Sequence, residues 1–151
     1  MKRRTSRLVL GLVVVVGLLT TLRARAAAEV SLANLRITAR FGDRGLTSLT
    51  GTPLGLAYRF PQDEFSVTIG GQAYDSRTLA RPARTSSKDR VTYVWMAGPY
   101  RVNVVYEVRP DWGFLSKQLS IVSAPGRRFH VDEIAVFRTS LAEPISDVFV
   151  P

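Results

Sequence analysis

Beyond residue 30 the apolar residues of this chain recur at every second position, a spacing that fits a β-strand and not a helix. Leu35, Ile37, Ala39 and Phe41 alternate with Arg36, Thr38 and Arg40, and Phe65, Val67 and Ile69 repeat the pattern. Val102, Val104, Tyr106 and Val108 share one face, while Arg101, Asn103, Glu107 and Arg109 dominate the other. Turn residues punctuate these runs at Gly42-Asp-Arg-Gly45, Gly51-Thr-Pro53, Gly70-Gly71, Ala97-Gly-Pro99, Pro110-Asp-Trp-Gly113 and Ala124-Pro-Gly-Arg-Arg128. Glycine, proline and aspartate accept the dihedrals that chain reversal demands. The reading is a strand over 46–50, a short return strand over 72–74 and a hairpin joining 91–96 to 100–108. A strand over 114–122 follows, with Leu115, Leu119 and Ile121 in phase, and then a last long strand over 129–139. Residues 75–89 read as a long surface connection with brief pairing at most. No amphipathic helix of ten residues is visible after the leader. Short strands about ten residues apart predict an all-β fold, an antiparallel β-sandwich.

The first 28 residues are of another kind. Met1-Lys-Arg-Arg-Thr-Ser-Arg7 is basic, residues 8–22 are uncharged and largely apolar, and the stretch closes on Ala24-Arg-Ala26-Ala-Ala28. A basic start, an apolar core and a small-x-small exit predict a secretory signal peptide over 1–26, cleaved after Ala26 or Ala28. The uncharged run has 15 residues, whereas a bilayer-spanning helix wants about 20. A membrane association is therefore expected only if the leader stays uncleaved. The expected location is exported, periplasmic or extracellular, with residues 27–151 forming one sandwich domain.

The leader also carries much of the charge. The chain has 21 basic and 12 acidic residues, a formal net charge of +9. Six of the basic residues and none of the acids precede Ala27, leaving 15 against 12. Binding to a phosphate backbone needs clustered cations, so no nucleic-acid partner is expected. The absence of cysteine removes disulfides and thiolate metal sites, and a single histidine, His130, argues against zinc. No metal and no cofactor are expected.

Candidate chemistry is sparse. The doublets Asp63-Glu64 and Asp132-Glu133 are adjacent, and neighbours in a strand point to opposite faces, so neither presents two carboxylates to one bond. They read as solvated strand-edge and turn acids. His130 and Asp132 are two apart and share a strand face, a base with an orienting carboxylate in principle. Ile134 and Val136 continue that phase, so the face is expected to turn inward and His130 to be structural. No residue is assigned a catalytic role. Tyr93, Trp95, Tyr100, Tyr106, Trp112 and Phe114 crowd into 22 residues. Tyr93, Trp95 and Tyr106 share apolar phases and read as core. Trp112, in a turn, is the one candidate ligand-binding residue, a flat apolar ring with a polar handle suited to a sugar.

Leu35-Arg-Ile-Thr-Ala-Arg-Phe-Gly-Asp-Arg-Gly-Leu-Thr-Ser-Leu49 resembles the first meander of galactose-mutarotase-like supersandwich domains. The run from Tyr100 to Ile121 and His130-Val-Asp-Glu-Ile-Ala-Val136 are similar to later parts of those domains. Such domains precede the catalytic barrel in α-galactosidase-like glycoside hydrolases, and their catalytic aspartates belong to the barrel. The resemblance therefore implies an exported, non-catalytic sandwich, the N-terminal part of a carbohydrate-active protein. Its partners would be a carbohydrate ligand and a partner domain or chain met through an exposed strand edge. The alternative is a free-standing secreted module that binds a glycan or an envelope component; a small hydrolase is the weakest reading. Because Val148-Phe149-Val150-Pro151 closes the chain on an apolar run, the sandwich is expected to be incomplete. The plainer expectation is an edge strand stopped by Pro151.

Overall fold

The computed structural model describes residues 29–142. The expected signal peptide and the apolar run 148–150 lie outside the described residues. Within them the chain is all-β and every strand pairing is antiparallel. The strands are β1 (Val30–Ala33), β2 (Ile37–Phe41), β3 (Leu46–Gly51), β4 (Leu56–Arg59), β5 (Gln62–Ile69) and β6 (Gln72–Asp75). They continue with β7 (Ala83–Ser86), β8 (Arg90–Ala97), β9 (Tyr100–Glu107), β10 (Ser116–Val122) and β11 (Val131–Ser140).

Three sheets result, ordered β1-β2-β3-β4, β10-β9-β8-β7 and β11-β5-β6. In the second, the cross-strand pairs Val91↔Tyr106, Tyr93↔Val104, Trp95↔Val102 and Ala97↔Tyr100 all lie on one face. Directly opposed residues point the same way, and every one of these side chains is buried. Both other sheets pack against that face. Phe41 of β2 meets Tyr106 at 5.0 Å between ring centroids. Phe65 of β5 meets Trp95 edge-on at 5.5 Å, and Tyr74 of β6 meets Tyr100 at 6.2 Å. One layer of the sandwich is thus the sheet β10-β9-β8-β7, and the other two sheets form the opposite layer. Each of the large rings so enclosed contributes about 2–3 kcal/mol through removal of apolar area from water.

The β8–β9 hairpin runs as the alternation predicts, reversing at Gly98 with φ +60°. A Cβ there would lie 2.9 Å from the Tyr74 hydroxyl, so the turn needs glycine for space as well as for dihedral. Other expectations are corrected. Leu35 fits the phase of β2 but is 89% exposed. Asn34 is the cause: its Oδ1 accepts from the amides of Arg36 and Ile37, closing a local turn before the strand begins. Within the connection 75–89 the brief pairing is β7, a strand of four residues paired with β8. β4 follows the break at Gly51-Thr-Pro53; exposed throughout, it carries no alternation to read. The strand expected over 114–122 starts at Ser116, and the last strand starts at Val131 rather than 129.

The inward face expected for 130–136 is corrected too. Ile134 stands opposite the buried Val67 and Val131 opposite the buried Ile69, so both point to the core side of their sheet. Yet Val131, Ile134 and Phe137 are 37%, 46% and 48% exposed. β11 is the outer strand of its sheet, and its core-side surface extends past the cover of the opposite layer. β4 repeats the situation: Tyr58 opposes Leu49 and Leu56 opposes Gly51 on the core side, and both remain exposed.

Candidate functional site

The turn bearing Trp112 joins β9 to β10 in one layer of the sandwich and is tied to the other layer. The Trp112 amide donates to the Arg109 carbonyl at 3.1 Å, a reversal for which Pro110 is preset. Asn34 Nδ2 then donates to the carbonyls of Arg109 (2.6 Å) and Trp112 (2.7 Å), tying this turn to the one between β1 and β2. The Trp112 ring is half-buried, stacked on Phe114 at 4.6 Å and 17°, with the Arg109 guanidinium 4.8 Å from its centroid. Arg109 is itself held by Glu107 at 2.8 Å. Those contacts keep Glu107 below the usual carboxylate range, the Arg109 hydrogen bond being the largest cause and Arg90 adding to it. Phe114, 56% exposed, is the more open ring of the pair.

His130 stands just before β11 with its side chain 83% exposed, 3.6 Å from Asp132. That exceeds a hydrogen bond. The other Asp132 oxygen accepts from the Gly71 amide at 2.8 Å, and the His130 carbonyl accepts from Gly70. Both residues pin the β5–β6 hairpin. Among the described residues no three His, Cys, Asp or Glu side chains converge as metal ligands do.

The sequence reading missed the most unusual group of side chains. Asp63, expected at a solvated strand edge, is buried with its side chain 3% exposed. Its Oδ1 accepts from Lys117 Nζ at 2.6 Å, and its Oδ2 accepts from the Leu46 amide at 2.6 Å and from the Tyr106 hydroxyl. Lys117 also lies 4.8 Å from the centroid of Phe137 and 5.6 Å from that of Tyr106. Burial pushes the Lys117 ammonium below its ordinary range, opposed by the Asp63 charge. Burial raises the Tyr106 phenol, and the adjoining Asp63 charge raises it further. Burial likewise pushes Tyr93 up to about 12; its hydroxyl donates to the Gly42 carbonyl. Gly45 makes room for the group, since a Cβ there would lie 2.5 Å from Asp63 Oδ2. Glu64, on the other face of β5, turns away to Arg77 at 3.6 Å, as strand geometry requires.

A signal for this cluster was present. Asp63 is in phase with Phe65, Val67 and Ile69, and Lys117 is in phase with Leu115, Leu119 and Ile121. One acid and one base each occupying an apolar phase are candidates to meet inside. A cleft of about 320 Å³ opens beside Asp63, lined by the 42–47 turn, residues 60–64, Arg77 and Trp95. Arg44 covers Trp95 at 4.8 Å and donates to the carbonyls of Ser76 and Leu79. Both oxygens of Asp63 are occupied, so the cluster holds four strands together, β3, β5, β9 and β10, and offers no free base to the cleft.

Comparison with protein-family models, with curated proteins and with solved structures returned no match. The fold and site define the chain as an antiparallel β-sandwich with a buried ionic pin.

Proposed function

We propose that this chain is an exported, non-catalytic β-sandwich that supports a partner domain of a carbohydrate-active protein. The observation that carries the reading is the bare core-side surface of β11, where Val131, Ile134 and Phe137 are left open along a strand edge. Apolar surface of this kind marks a site of association. A partner docking there would extend the sandwich and leave chemistry to groups outside it. This agrees with the resemblance to N-terminal supersandwich domains and with the commitment of the Asp63 and Asp132 carboxylates to structural contacts. A photo-crosslinker at position 134 should join the chain to a carbohydrate-active domain. An equal yield from position 92, on the opposite layer's outer face, would contradict the reading.

A second reading, a secreted glycan-binding module, is favoured by the Trp112–Phe114 stack at a loop-rich end of the sandwich. It requires saturable polysaccharide binding that disappears in Trp112→Ala. Binding unchanged in that variant would remove it.

A further inference from the structure

A groove of about 330 Å³ lies between the first sheet and the Trp112 turn. Its floor is the core-side face of the first sheet, where the rows Ile37–Gly51–Leu56 and Leu49–Tyr58 run across β2, β3 and β4. Pro53 and Leu54 of the β3–β4 turn form one wall, and Gly113 of the Trp112 turn forms the other. That size suits a small-molecule site.

We infer that this groove binds an anionic amphiphile, its acyl chain laid over Ile37, Leu49 and Leu56 and its acid headgroup held by Arg36. The lining divides sharply by chemistry. Apart from Arg36 and the Tyr58 hydroxyl, every side chain in it is apolar. A glycan would bring several hydroxyls into surroundings that offer them almost no partners, which is costly. An acyl chain makes no such demand. Leu54 and Leu56, 78% and 49% exposed, would gain cover from it.

Arg36 supplies the choice of headgroup. It is the single charged residue of the groove, and its side chain lies along Gly113, 3.8 Å from where a Cβ would stand. Among the described residues Arg36 has no carboxylate partner, a state it shares with Arg44, Lys88, Arg101, Arg127 and Arg128, and of these it alone lines the groove. An exposed guanidinium beside an apolar trough complements a carboxylate or phosphate at the end of a chain. The walls are fixed in advance, because Asn34, the residue two before Arg36, bonds to the Trp112 turn.

Methyl-resolved NMR titrations of the purified chain test this, with dodecanoate, dodecyl maltoside and inorganic phosphate as probes. Dodecanoate should give saturable shifts at Ile37, Leu49, Leu54 and Leu56, and phosphate alone should give none. Arg36→Gln should weaken dodecanoate about tenfold, the loss of one charge-assisted contact, and leave dodecyl maltoside unchanged. Leu56→Ser should weaken both amphiphiles. The inference is overturned by equal dodecanoate affinity in Arg36→Gln and the parent chain, or by Leu56→Ser leaving both affinities intact. Shifts as large at Val131 and Ile134 as in the groove would overturn it too, since they would report adsorption to any apolar surface. Saturation by phosphate alone would do the same, by showing an anion site with no use for a chain.

Discussion

Asp63 and Lys117 show what a strand phase can hide. Each sits where an apolar residue would be expected, and each is tolerated there because the other neutralises it and Tyr106 and Leu46 fill the remaining positions. Removing one member of a buried pair strands the other, which typically costs about 3–5 kcal/mol; an apolar replacement of both can be close to neutral. Lys117→Ala and Asp63→Ala should each lower stability by about 3 kcal/mol in urea denaturation, with Asp63→Leu combined with Lys117→Met recovering most of it. The alkaline limb of stability belongs to the tyrosines. An unfolded tyrosine ionises near pH 10, whereas Tyr93 in the fold holds its proton until about 12. The folded state binds more protons between those values, so the stabilisation is complete below pH 10 and lost as pH rises through the window. Lys117, whose range is lowered, acts with the opposite sign below 10.5. Urea midpoints taken between pH 9 and 11.5 should therefore fall less steeply in Tyr93→Phe than in the parent chain. Identical slopes would contradict the assignment.

Single strands were legible in the sequence in proportion to how strictly they divide inside from outside. β8 and β9 alternate between buried and open positions along their length, and the reading of 91–96 and 100–108 lands within a residue or so of their bounds. β4 and β7 are four residues long with no buried position, too short and too open for alternation to announce them. Leu35 kept the phase but lost the strand to the Asn34 turn, a side-chain contact that periodicity does not encode. Of the candidate site, the turn carrying Trp112 was legible; for the Asp63–Lys117 pin the strand phase says that each charge turns inward but not that the two meet. β11 is the element whose mutants should be mild. Ile134→Ala removes a side chain already half in water and should cost about 1 kcal/mol or less. Phe65→Ala, in the adjoining β5, empties a fully buried place against Trp95 and should cost about 3–5 kcal/mol in the same denaturation assay.

At the scale of the whole molecule, the order of strands was beyond reach of the sequence, because alternation assigns faces and not neighbours. Nothing local tells β11 to return beside β5, and that pairing sets the shape of the open side. The strand carries the protections expected of an exposed edge: two register shifts and the charges of Asp132, Glu133 and Arg138. The same layer overreaches its cover at β4 and at β11, giving one region suited to a partner domain and another suited to a small amphiphile. Both proposals depend on one physical claim, that core-side residues of these outer strands face water in the chain alone. Paramagnetic relaxation of methyl groups by an inert probe in the solvent reads this directly. Val131, Ile134 and Leu56 should relax nearly as fast as Leu54, while Val67 and Val102 stay protected. Protection of Ile134 equal to that of Val67, its neighbour across the strands, would contradict the account.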